Sequence, residues 1–217
     1  MREPIDTIEY RGCSIKIYTD DDPQDPRQDD NLGRMICFHG KYSLGDKTEL
    51  KSSMFDGWQA LRGYLIKEYE AKILLPLYLY DHSGITMRAG RSFGDIDPQG
   101  WDSGCVGFIY ATRPDMVKEY GKLNKLIIVK AEKLLINEVK TYDDYLTGDV
   151  FGFVAEDKQG QGIHSCWGFF GDTKYMITEA QAAIDYHIKD IQAKNEARLK
   201  AFIKNKVGLE YRELVNV

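Results

Sequence analysis

No run among the 217 residues is long and apolar enough to span a membrane, and the N-terminal MREPIDTIEY lacks the hydrophobic segment of a secretory signal. Cysteine is sparse. Cys13, Cys37, Cys105 and Cys166 are widely separated and include no CxxC pair, which excludes a zinc ribbon or a dithiol redox motif. There is no P-loop, no G-x-G-x-x-G in a strand–turn–helix setting and no G-x-S-x-G, so ATP hydrolysis, dinucleotide binding and serine-hydrolase chemistry lack their usual signatures. Positive charge is in the minority, 29 Lys and Arg against 34 Asp and Glu, and the net charge of −5 argues against a general charge-driven nucleic-acid binder. It is also too mild for a DNA mimic. These absences lead to the expectation of a reduced, cytoplasmic protein whose cysteines mostly act as small buried apolar groups.

What is present suits a folded chain: 43% hydrophobic residues, 29% charged residues and 14 tyrosines, enough for one good core or two small ones. The patterning predicts an α+β fold, a mostly antiparallel sheet with helices packed on one side and a long C-terminal helix. One domain over 1–217 is expected, with 192–217 as a projecting helical tail. Residues 5–10 and 13–18 flank Arg11-Gly12 as a hairpin. The acidic run 20–30, DDDPQDPRQDD, reads as a solvated loop and lacks the order of an EF-hand. Residues 34–38 read as a strand, and 55–69 as a helix with Ser52 or Ser53 as its cap. A short helix opens at Pro114 and closes at Gly121. A longer one over 124–146, broken near Asn137, closes at Gly148. Residues 150–156 and 163–170 form a hairpin across DKQGQG. The last helix follows, with a stripe of Ile177, Ala180, Ile184, Ile188 and Ile191 and an end at Gly208.

The chain is organised around residues 74–112. Two apolar runs, 74–80 and 106–112, enclose a segment rich in Gly, Asp and Ser. Such a loop on a rigid sheet concentrates function, although its Gly and Asp residues are equally able to serve only as turns. The expected ligand-binding mouth comprises Tyr80, Asp81, His82, Ser83, Arg88, Arg91, Trp101, Asp102 and Ser103, with Trp167 from the late hairpin. Backbone N–H groups with Arg88 and Arg91 suit an anion, and the aromatics suit a stacked base. No catalytic residue is assigned and no cofactor is expected. Asp81 and His82 are neighbours on a strand and point to opposite faces, so they do not form a catalytic pair with each other. Alternatively, His39, His82, Asp102 and His164, with Asp81, form a divalent-metal site of a hydrolase or nuclease, although their spacing matches no ligand signature. A nucleic-acid-binding module using the aromatic mouth and the basic C-terminal helix is a further alternative.

The strings NLGRMICFHGKYSLGD, LPLYLYDHSGITM, WDSGCVGFIYAT and SCWGFFG resemble blocks in uncharacterised proteins encoded by tailed bacteriophages and related mobile elements. The resemblance spans roughly residues 8–187 and departs over Arg88–Gly100. It brings no catalytic or binding residues with it. It implies a setting only, an intracellular accessory protein made during infection of a bacterium. Taken with the acidic balance and the lack of a catalytic signature, it leads to the expectation of non-catalytic binding of a host factor or a small, nucleotide-like ligand, as in countering a host defence.

Overall fold

Cys13, Ile15 and Ile17 alternate with Ser14 and Lys16, so one face of the segment is apolar and the other polar. In the computed structural model, which describes residues 3–206, this segment is strand β2 (Cys13–Thr19), paired antiparallel with β1 (Asp6–Tyr10) across the Arg11-Gly12 turn. Arg11 and Gly12 both take positive φ, +53° and +78°, the conformation that a two-residue hairpin turn of this hand requires. The structure is α+β, with antiparallel strands and a long C-terminal helix.

Contacts divide the chain into two compact units, one from the segments up to Asp20 and from Phe151 onward, the other Asp21–Val150. The expectation of a single domain does not contain this division. Each unit has its own four-stranded sheet and its own apolar interior.

The first unit orders its strands β1-β2-β7-β8, where β7 is Val150–Glu156 and β8 is Gly162–Phe170. Helix α4 (Thr173–Lys206) lays Met176, Ala180 and Ile184 on Ile15, Ile17, Phe153 and Ala155. Full burial of side chains such as Ile15 and Ile184 stabilises the unit by about 1.5–3 kcal/mol each relative to exposure. The buried stripe runs from Met176 through Ala180 to Ile184, and Ile191 is exposed. Beyond it, every side chain to Lys206 is exposed except the half-buried Ile203. The expected helix end at Gly208 lies outside the described residues.

The second unit orders its strands β3-β6-β4-β5: β3 is Arg34–Cys37, β4 Ala71–Asp81, β5 Ile85–Ala89 and β6 Ser103–Thr112. β6 sits between β3 and β4, and its residues from Val106 onward are all buried. Ile109 and Ala111 face helix α3 (Lys125–Thr147) through Ala131, Leu135 and Val139. Phe108 and Tyr110 point the other way, onto Leu61 and Leu65 of α1 (Gly57–Glu68). One-sided packing thus holds in the first unit, and helices take both faces of the second sheet. α2 (Arg113–Tyr120) opens with Thr112 accepting from the Asp115 N–H at 3.2 Å and closes at left-handed Gly121. α3 is capped by Asn124, runs unbroken through Asn137 and ends at Gly148. α1 starts after Asp56, and Ser52–Met54 forms a short 3-10 turn instead of the cap.

The acidic run is not simply solvated. Pro26 is buried and the Arg27 side chain is only 3% exposed. Arg27 donates to both Asp46 oxygens, from Nε at 2.8 Å and Nη2 at 3.0 Å, and from Nη2 to the Gly33 carbonyl at 2.6 Å. Glu138 of α3 accepts from the backbone N–H groups of Leu32 and Gly33 at 2.9 and 3.0 Å and lies 3.5 Å from Arg27 Nη1. Burial pushes the Glu138 carboxyl up, against the opposing pull of Arg27 and those two N–H donors. This network ties the residues before β3 to the helix behind it.

Candidate binding site

β3 and β4 both run antiparallel to β6, so the ends of β3 and β4 and the start of β6 meet at one edge of the second unit. That topology gathers His39, Asp81 and Ser103 without any local sequence signal. A bulge refines it: Leu77 pairs with Gly107 and Tyr78 with Cys105, so Val106 is the extra residue of β6. Gly107 is required there, because a Cβ would lie 1.8 Å from the Ile36 carbonyl oxygen. Beyond the bulge, Ser103, Gly104 and Cys105 line a groove of about 450 Å³ together with His39, Asp81 and Trp101.

β4 and β5 are joined by His82-Ser83-Gly84, with Ser83 at φ +58° and a hydrogen bond of 3.0 Å from the His82 N–H to the Gly84 carbonyl. β5 itself was expected to be loop; Met87 is buried against α3, whose Asp143 accepts from Thr86 Oγ1 and the Met87 N–H, both at 2.7 Å. His82 Nδ1 lies 3.0 Å from Asp102 Oδ2, and its ring stacks 5.8 Å from Tyr80. Asp81 is engaged elsewhere: its carboxylate accepts from Tyr42 Oη at 3.1 Å and from Lys41 Nζ at 3.4 Å, and its N–H donates to the Asp102 carbonyl at 2.8 Å. His39 Nδ1 accepts from the N–H groups of Lys41 and Tyr42 at 3.3 and 3.2 Å, which places its proton on Nε2.

The segment between β5 and β6 is a tied loop. Phe93 is fully buried beneath Tyr80, 5.6 Å between ring centres, and its carbonyl accepts from the N–H groups of Ile96 and Asp97. Asp97 accepts from the N–H groups of Trp101 and Asp102 at 3.2 and 3.0 Å. Partial desolvation opposes ionisation of the Asp97 carboxyl, but the Ser103 hydroxyl and those backbone donors outweigh it and hold the group below its ordinary value. Asp95 is likewise held low, chiefly by hydrogen bonds from Arg88 at 2.9 and 3.1 Å. On this hydrogen-bonded loop Trp101 is 83% exposed.

The structure therefore brings Tyr80, Asp81, His82, Ser83, Trp101, Asp102 and Ser103 to one end of the second sheet. Of the two arginines expected to hold an anion, Arg88 is engaged with Asp95 and lies 4.2 Å over the Phe93 ring, and Arg91 is 3.9 Å from Asp95. Trp167 belongs to the first unit, where it lies against Gly152 and 6.0 Å from Tyr18. His164 is in that unit too, 5.9 Å from Phe153. Among the described residues no three His, Cys, Asp or Glu side chains gather to hold a metal ion, so the set His39, His82, Asp102 and His164 is not assembled into one. Lys41 and Tyr42 were missed as site residues; the available signal was an aromatic and a cation directly after His39-Gly40 at a strand end.

Fold and site together define a two-unit α+β protein with a polar groove at one sheet edge and a tryptophan projecting from its rim. No helix among the described residues is long and apolar enough to cross a membrane. No protein-family model, curated protein or solved structure matches the chain.

Proposed function

We propose that this protein acts by binding and not by catalysis, and that its binding element is the mouth formed by the β4–β5 turn and the loop before β6. The observation that carries this is Trp101, 83% exposed on a loop whose backbone is fastened by Asp97. An indole left in water carries a hydration cost that only a partner relieves, and tryptophan is enriched at the centres of protein interfaces. A loop already fixed in shape loses little conformational freedom on docking. Around Trp101, Asp81, His82 and Asp102 form a polar rim that orients a partner.

The partner is a host protein offering an apolar cleft for the indole, bordered by hydrogen-bond donors for the two carboxylates. With the phage-like blocks in the sequence, the reading is of a phage accessory protein at work in the cytoplasm of an infected bacterium, where it engages a host factor and counters a defence. Affinity purification from a bacterial lysate with the full chain and with Trp101→Ala, followed by titration of the purified partner, tests it. A partner whose affinity falls at least about tenfold, roughly 1.4 kcal/mol, in Trp101→Ala is expected. Turnover of a small molecule without any stable complex contradicts it.

A further inference from the structure

A second, larger groove opens on the same unit beside the first, with Phe38, His39 and Gly40 lining both. It encloses about 880 Å³ and is lined by the segment 37–52 together with Trp58. That volume lies within the range of small-ligand sites. Three lysines border it: Lys41, Lys47 and Lys51. Lys41 is shared with Asp81, whereas Lys47 and Lys51 have no ion-pair partner among the described residues. Among the described residues the only carboxylate lining the groove is Asp46, and both its oxygens are already held by Arg27, one of them also by the Met35 N–H at 2.8 Å. In a chain of net charge −5, this concavity is locally positive.

One wall is aromatic. The half-buried Phe38 and Trp58 stack 6.2 Å apart at 14°, and Trp58 is braced edge-on by Phe108 at 6.3 Å. Phe38 directly follows β3, and its N–H donates to the Val106 carbonyl at 2.7 Å. Ser43, Thr48 and Ser52 also line the groove.

We infer that this groove binds a nucleoside polyphosphate, its phosphates on Lys47 and Lys51 and its base against the Phe38–Trp58 wall. Cations without carboxylate partners suit a polyanion, and an aromatic surface suits a planar ring. A long nucleic acid fits less well, since the acidic balance of the chain repels an extended phosphate backbone. Phe38 lines both grooves, whereas Lys47, Lys51 and Trp58 line only this one, so substitutions at the two lysines separate this inference from the partner reading.

Calorimetric titration of the full chain with ATP tests it, alongside adenosine, tripolyphosphate and a single-stranded oligonucleotide of about 20 residues as separate arms. ATP is expected to bind, with adenosine and tripolyphosphate each weaker by about tenfold or more. The double variant Lys47→Glu/Lys51→Glu is expected to lose at least about tenfold in ATP affinity, while Lys47→Arg/Lys51→Arg keeps most of it. Both lysines are exposed, so an unchanged unfolding midpoint identifies a binding effect. Trp101→Ala leaves ATP binding intact, which separates failure here from failure of the partner reading. Absence of ATP binding, indifference to the charge reversal, tripolyphosphate matching ATP, or tighter binding of the oligonucleotide overturns the inference.

Discussion

His82 Nδ1 and Asp102 Oδ2 are 3.0 Å apart, so the β4–β5 turn is fastened to the last residue before β6. Both side chains are well exposed, 62% and 46%, and an exposed pair of this kind contributes little to folding. Asp102→Ala is expected to change the free energy of unfolding by less than about 1 kcal/mol in urea titration. Its effect should instead be on binding at the mouth, by freeing the His82 ring.

The Arg27–Asp46 pair stands at the opposite extreme. Arg27 is almost wholly buried and bridges the segment before β3 to Glu138 of α3. Arg27→Met leaves Glu138 and Asp46 without their cation, and unpairing a buried charge costs about 3–5 kcal/mol. Urea denaturation of Arg27→Met is expected to show a loss of that size, several times larger than for Asp102→Ala.

The loop before β6 is expected to loosen in acid. Asp95 and Asp97 are both held below their ordinary value of 3.8 in the folded chain, so the unfolded chain binds more protons than the folded one as pH falls. The stabilisation is full above the ordinary carboxylate value and is lost as pH drops through the lower folded values. Carboxyl-carbon NMR should show both groups titrating below 3.8, and Arg88→Gln should return Asp95 toward it. Titration of both at their ordinary value contradicts the hydrogen-bonded loop.

The four thiols should separate by reactivity. Burial pushes Cys37 up to about 12, and it raises Cys105 as well. Cys13 is buried beneath α4, Cys37 and Cys105 are partly buried, and Cys166 is exposed on β8. The thiolate is the reacting species, so Ellman's reagent at neutral pH is expected to label Cys166 quickly and Cys37 only on unfolding.

Local patterning carried much of the fold. The Arg11-Gly12 turn, the β7–β8 hairpin, the Pro114 and Gly121 boundaries and the Ala180–Ile184 stripe all depend on residues within a few positions of one another, and each is legible in sequence. The division into two units is not, because β2 pairs with β7 across well over a hundred residues. β5 was hidden by Arg88 and the glycines around it, and its burial comes from Asp143 and α3. Arg27 looked solvated because its partners, Asp46 and Glu138, lie 19 residues away and on a distant helix. The mouth was located through Asp81, His82, Trp101 and Asp102, but the pairing of His82 with Asp102 follows from strand register, which no local motif encodes.

The most direct test of the binding account places a photo-crosslinking amino acid at position 101 and, as a control, at the exposed Gln59, with the full chain expressed in a bacterium. A discrete adduct with one host protein from position 101, absent from position 59, is the predicted result. Equal or absent crosslinking from both positions contradicts a partner docked on Trp101.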